Sequence, residues 1–273
     1  MTRSVFTPFF IENSPGRLFA LLRAPQEARR CILFVPPFGE EMNKCRRQIT
    51  ETTEALVAGG LAVLVFDLYG TGDSEGDFAS ARWKTWILDV AAAVNWIEES
   101  GLSLHAVVAS RLGCALAGEA LQATGTVVEK TIFWQPVSSG RQFIAQFLRL
   151  RVASSMMESD ANETVGSLRQ RLSEGETLEV AGYALSSELW REIEGLELAT
   201  RLTSCIGSLT VFEVGRSGDE KLSVPTRQLL GTASEKGIQA SVERISGEPF
   251  WATTEIVVNR TLVDRTAHHL RLI

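Results

Sequence analysis

The chain has 273 residues, 45% of them hydrophobic and 22% charged, and a formal net charge of −6. That length holds one large α/β domain with an inserted element, or two small domains, and the composition is that of an ordinary globular protein. The acidic balance argues against nonspecific binding to nucleic acid or to an anionic membrane, although local charge decides what a pocket takes.

In chain order, "VFTPFFIE" and "GRLFALLRAP" flank the turn "NSPG" and predict a β-hairpin. "CILFVPPF" is a nearly continuous apolar run closed by prolines, which fits a strand buried on both faces. "KCRRQITETTEALVAGG" has helical spacing and ends in glycines. "LAVLVFDL" reads as a second buried strand and "ARWKTWILDVAAAVNWIEESG" as a long helix. "LHAVVAS" reads as a third strand, followed by a helix opening at Leu112, and "KTIFWQP" as a fourth. "SLTVFEVG" and "ASVERISG" read as two more strands with the helix "LSVPTRQLLGTASEKG" between them. "FWATTEIVVNRTLVDRTAHHL" reads as the final helix.

This alternation predicts an α/β fold, with a mostly parallel central sheet and helices on both faces. Residues 141–201 break the rhythm. They hold two helical stretches, "RQFIAQFLRLRVASSMM" and "SSELWREIEGLELATRL", around a less regular "ETLEVAGYAL". The expectation is a core of residues 1–140 and 202–273 with a small helical cap at 141–201.

No apolar run approaches the roughly 18 residues needed to span a bilayer. The opening stretch "MTRSVFTPFFIENSPG" lacks the continuous apolar core of a signal peptide, so no membrane span and a cytoplasmic location are expected. Cys31, Cys45, Cys114 and Cys205 show no CxxC spacing and read as small buried residues. Neither a metal nor a cofactor is implied.

In a sheet of this kind ligands sit outside the carboxyl ends of the strands. Five loops follow strands there: "PPFGEEMNK", "DLYGTGDSEGDF", "ASRLG", "GRSGDE" and "GEPFW". The stretch "VLVFDLYGTGDSEG", with Asp67, Gly70, Gly72 and Ser74, resembles the strand and loop that recur in the α/β-hydrolase superfamily. Its physical reading is a tight glycine-dependent turn whose side chains bond backbone groups. The order of hairpin, parallel strands, cap, late acid loop and final helix extends the resemblance over nearly the whole chain. The set "PPFGEEMNKCRR", "ASRLG", "PVSSGRQF" and "GEPFW" is similar to the exosortase A system-associated hydrolases of the type called hydrolase 2. That family is linked by genome context to bacterial protein sorting and exopolysaccharide production.

The resemblance implies a nucleophile, an acid and a histidine in that chain order. The nucleophile sits on a strained elbow between two small residues. Ala109 and Gly113 satisfy that rule around Arg111, whereas centring on Ser110 places Val108 and Leu112 there. Guanidinium is not a nucleophile, because it stays protonated. Asp219 occupies the acid position, or else caps the helix that follows. The histidine position reads "SGEPFW", with Glu248 and Phe250. His105 begins a strand at the opposite end of the sheet, and His268 and His269 close the final helix, roughly 20 Å from the loop before it. Cys114 lies in the first turn of the elbow helix and reads as a core residue.

Ordinary serine hydrolysis is therefore not expected. Carried over by position, the amides of Leu112 and Phe38 match the oxyanion-hole donors of the fold. Arg111 would add a forked, permanently charged donor to make an anion site. Glu40, Glu41, Asp219 and Glu248 could supply its counter-charge. Three readings stay open: a non-catalytic protein that binds a small, anionic ligand; a hydrolase of esters or thioesters in which Glu41, Asp219 or Glu248 activates water while Arg111 orients the substrate; and a structural arginine neutralised by an internal carboxylate, in a protein whose surface or cap contacts a protein partner.

Overall fold

The computed structural model describes residues 4–157, 163–215 and 221–271. The core begins with β1 (Ser4–Ile11), β2 (Leu18–Pro25), β3 (Arg30–Val35), α1 (Glu40–Ala58), β4 (Ala62–Phe66), α2 (Trp83–Glu99), β5 (Ser103–Ser110), α3 (Gly113–Thr124) and β6 (Val128–Trp134). The chain then leaves the sheet for α4 (Gly140–Met157), α5 (Val165–Ser173), the small hairpin β7 (Leu178–Val180) and β8 (Tyr183–Leu185), α6 (Ser187–Glu194) and α7 (Leu198–Arg201). It returns as β9 (Ile206–Gly215), α8 (Val224–Glu235), β10 (Gln239–Ser246) and α9 (Arg260–Leu270).

Eight strands form one sheet in the order β1-β2-β4-β3-β5-β6-β9-β10. β1, β2 and β4 pair antiparallel, and every later pairing is parallel. The parallel strands are covered on both sides, so their apolar runs are continuous rather than alternating. Ile32 and Phe34 pack with α1 and α9 residues such as Cys45, Ile49 and Leu262. Leu33 and Val35 pack on the other face with residues of α2, α3 and α8, among them Val94, Leu116 and Leu229. Each large side chain fully buried in this way contributes about 1.5–3 kcal/mol.

The glycine-rich loop after β4 is built as the sequence reading requires. Asp67 accepts from the Asp73 amide (3.0 Å) and from Arg46 Nη2 (3.1 Å). The Ser74 hydroxyl donates to the Asp67 carbonyl (2.6 Å) and accepts from the Phe19 amide (2.9 Å). Gly72 has φ +54°, and a Cβ there would stand 2.1 Å from Asp67 Oδ2.

Three local expectations are corrected. The last helix begins at Arg260, not at residue 250. Pro249 opens a turn in which the Ala252 amide bonds its carbonyl (2.7 Å), and the Asn259 side chain caps α9 by accepting from the Leu262 amide (3.0 Å). Helix α1 starts at Glu40, ahead of the expected Lys44. The stretch around residues 178–185 is a β-hairpin, and α5 precedes it behind a Thr164 and Ser167 capping box.

Asp89 ties α2 to the loops above it, accepting from the Tyr69 amide (2.8 Å) and from Asn13 Nδ2 (2.7 Å). It is fully buried, and burial pushes its carboxyl up to about 7, against the pull of those two donors. The unfolded chain releases this proton near pH 3.9, so between about pH 4 and pH 7 the folded chain holds a proton that the unfolded chain lacks. The contribution of Asp89 to stability is therefore greatest below that window and falls as pH rises through it. Urea unfolding across the window should show a smaller decline for Asp89→Asn than for the wild type. Equal declines would contradict the assignment.

Candidate functional site

The stretch "ASRLG" forms the turn between β5 and α3. Arg111 at its apex has φ +56°, a left-handed conformation that costs a non-glycine residue about 1–3 kcal/mol. The surroundings hold it there. The Arg111 amide donates to the Trp134 carbonyl (3.0 Å), and the Val137 amide donates to the Arg111 carbonyl (3.3 Å). The small flanking residues are needed for contact: a Cβ on Gly113 would sit 2.3 Å from the Pro36 carbonyl oxygen. Ala109 is fully buried within β5. Ser110 is the last residue of β5, where it pairs with Trp134, and its hydroxyl is buried without a partner. The residue presented at the sheet edge is Arg111.

The guanidinium is held on three sides. Nε and Nη2 donate to the same oxygen, Glu41 Oε1, at 3.0 and 2.9 Å. Nη1 donates to the Gln135 carbonyl at 3.1 Å. The Trp251 ring centroid lies 4.8 Å from Cζ, a cation–π distance. Arg111 is only 8% exposed. A guanidinium has five N–H donors, so one hydrogen on each Nη nitrogen is left over. Glu41 Oε2 is buried and accepts nothing. Burial raises the Glu41 carboxyl above its ordinary range, with Arg111 and then Lys44 pulling it back.

Gln135 is a second strained residue, at φ +43°, immediately after β6. Its amide donates to the Phe212 carbonyl (2.8 Å), and its side-chain oxygen accepts from the Val214 amide (2.7 Å). The strained ends of β5 and β6 are thus bonded to each other and to β9. A cavity of about 150 Å³ opens beside Arg111. Glu40, Glu41, Lys44 and Arg111 line one part of it, and Phe143, Phe147, Leu150 and Trp251 the other.

Phe38 and Leu112, expected to bind the ligand, are buried and are not among the residues that line this cavity; Phe38 packs beneath it. Its ring meets Phe78, Trp86, Phe143 and Phe147 edge-on at 5.1–5.7 Å, which anchors α4 over the sheet. Its amide, like that of Leu112, donates to no other described group. Glu40 lies at the cavity, within 3.4 Å of Asn43 Nδ2 and 3.9 Å of Lys44 Nζ. Glu248 is not brought in. The turn opened by Pro249 leaves it exposed and sends Phe250 and Trp251 inward. Asp219 lies outside the described residues.

No histidine reaches this edge. His105 is in the first half of β5, with Nδ1 3.8 Å from Glu129. His269 Nε2 lies 2.5 Å from Glu243, which also takes both arms of Arg265. Cys114 is fully buried, with its thiol pushed well up by burial, and it donates to the Ala109 carbonyl (3.4 Å). Sequence reasoning missed Gln135 and Trp251. Trp251 follows Phe250, the aromatic that stands where the resemblance expects a histidine, and carried no signal of its own. Among the described residues no three His, Cys, Asp or Glu side chains are grouped to hold a metal, and no helix is long and apolar enough to cross a membrane.

No curated protein matches the chain. Among solved structures, Est1E from Butyrivibrio proteoclasticus with ferulic acid bound is 14% identical, with a TM-score of 0.67 and 96% of each chain covered. An esterase from Pyrococcus furiosus is 13% identical, with a TM-score of 0.65, covering 98% of this chain and 90% of that one. The thioesterase domain from the curacin biosynthetic pathway is 15% identical, with a TM-score of 0.58, covering 97% and 99%. At these identities the likeness is one of fold, and that fold is the α/β-hydrolase sheet. Residues 17–160, more than half of the chain and including the elbow, match the sequence model of X-Pro dipeptidyl-peptidase (S15 family). The chain has an α/β-hydrolase fold and belongs to the X-Pro dipeptidyl-peptidase (S15 family).

Proposed function

We propose that this protein keeps the ligand-holding geometry of its fold and has lost serine hydrolysis, and that the cavity beside Arg111 takes a small anionic ligand. The observation that carries the reading is the elbow itself: Arg111 stands at its apex at positive φ, with the Trp251 ring over its guanidinium. Arg111, with two N–H groups left over, and Lys44 are the lining donors such a ligand would use. The apolar wall of Phe143, Phe147 and Leu150 would take its remainder. The similarity to exosortase A system-associated hydrolases suggests an exopolysaccharide-linked setting.

Charge balance makes the binding pH-dependent. Glu40 and Glu41 offset Lys44 and Arg111 at the cavity. Protonating Glu41, whose carboxyl burial already raises, removes one negative charge from the wall. Anion affinity should then rise as pH falls through the Glu41 titration. A second reading rests on one observation, the buried and unpartnered Glu41 Oε2. In that reading Glu41 activates water against an ester or thioester while Arg111 orients the substrate.

Thermal-shift measurements with a panel of small carboxylates and phosphates test the binding reading. Losing Arg111 alone would leave Glu41 buried and unpaired, at a cost of about 3 kcal/mol, so the control is the charge-neutral double variant Arg111→Met, Glu41→Gln. The wild type should be stabilised by at least one anion class and the double variant by none. Equal shifts would remove Arg111 from the account. Glu41→Gln alone should tighten anion binding and abolish its pH dependence.

Arg111→Ser supplies a nucleophile and still lacks a base. It should turn over p-nitrophenyl esters no faster than the wild type, and a serine-dependent burst would contradict the absence of a base at this edge. Wild-type ester turnover that Glu41→Gln abolishes would favour the second reading.

A further inference from the structure

We propose a second ligand site, for an amphipathic monocarboxylate, in the cavity between α1 and the β1–β2 hairpin. It does not depend on the Arg111 pocket. At about 260 Å³ this cavity is larger than the one beside Arg111. One wall is the α1 face that carries Met42, Arg46, Ile49, Thr50 and Thr53, positions that fall together at helical spacing. The other is the sheet face beneath, where Phe6 is paired with Arg23 and Leu21 with Val65. Short threonines on the inner side of α1 leave the space that larger apolar residues would fill.

Two residues that line this cavity each carry a buried polar atom with no partner. Thr53 is 2% exposed and its hydroxyl makes no hydrogen bond. Its neighbour Thr52 donates to the Gln48 carbonyl (2.9 Å), as helix threonines commonly do. Arg23 reaches Glu54 through Nη1 (3.2 Å), while its Nε is shut off from solvent and unpaired. Buried donors in this condition cost stability until an acceptor arrives. At the opposite end Arg46 is already engaged with Asp67.

A carboxylate suits the Arg23 end. Its oxygens can accept from donors on Arg23 and Thr53, and its single charge matches a guanidinium that Glu54 satisfies in part. The apolar part of the ligand runs along Leu21, Ile49 and Val65 toward Phe66. Thr53 and Arg46 are seven residues apart on α1, about 10 Å, which sets the scale of that tail. The exposed Phe6 ring, 5.7 Å from Arg23 Cζ, stands beside the carboxylate end.

Isothermal titration with decanoate, with decanol and acetate as controls, tests the site. Decanoate should bind saturably, and each control at least tenfold more weakly. Thr53→Val keeps the shape and removes the hydroxyl, and it should weaken decanoate about tenfold, as should Arg23→Gln. Ile49→Trp should fill the cavity and abolish binding. The Arg111→Met, Glu41→Gln variant should bind decanoate as the wild type does. The proposal is overturned if decanoate gives no saturable heat, if decanol binds as well, or if Thr53→Val and Arg23→Gln leave the affinity unchanged. Loss of decanoate binding in the Arg111→Met, Glu41→Gln variant would place the ligand in the other pocket and also overturn it.

Discussion

Arg111 and Glu41 meet where three pieces of chain converge: the β5–α3 elbow, the first turn of α1 and the loop after β10. Each needs the contact. The elbow holds a non-glycine residue at positive φ, which is affordable only where surrounding bonds over-determine it. A guanidinium this buried would cost several kcal/mol without a partner. Glu41 lies at the N-terminal end of α1, where the helix dipole favours a carboxylate. The helix in turn starts behind Gly39, at φ +53°, so the turn that follows β3 aims Glu41 at the elbow.

That pair occupies the elbow, and the backbone geometry around it is kept. The elbow, the close approach of Gly113 to Pro36 and the unpaired amides of Leu112 and Phe38 all persist. The three histidines lie elsewhere, and the loop after β10 sends Phe250 into the core and Trp251 over Arg111. What is left at the sheet edge is a small cavity with ionic and aromatic walls. Its shape depends on Phe38, which packs against α4 and so couples that helix to the loop after β3.

Much of this was legible in the sequence, for physical reasons. Parallel strands buried on both faces write themselves as continuous apolar runs, and the elbow writes itself as small residues around Arg111. The partner of Arg111 was not legible. Four carboxylates lay in candidate loops, and the contact that selects Glu41 spans 70 positions. Burial could not be read for Glu248 either, because the turn that exposes it is set by Pro249. The same turn makes "FWATTEIVV" look helical while α9 waits for its Asn259 cap. Helix α1 begins at a glycine with no side-chain cap, so its first turn, which holds Glu41, left no signal. Gln135 drew no attention because a strained glutamine after a strand has no sequence signature.

The central claim is that Arg111 and Glu41 act as one unit that fixes the elbow. A double-mutant cycle in urea unfolding, with Arg111→Met, Glu41→Gln and the two combined, measures it directly. The account predicts strong coupling, on the order of 2 kcal/mol, with the double variant little less stable than the worse single one. Additive losses, with no coupling between the two positions, would contradict it.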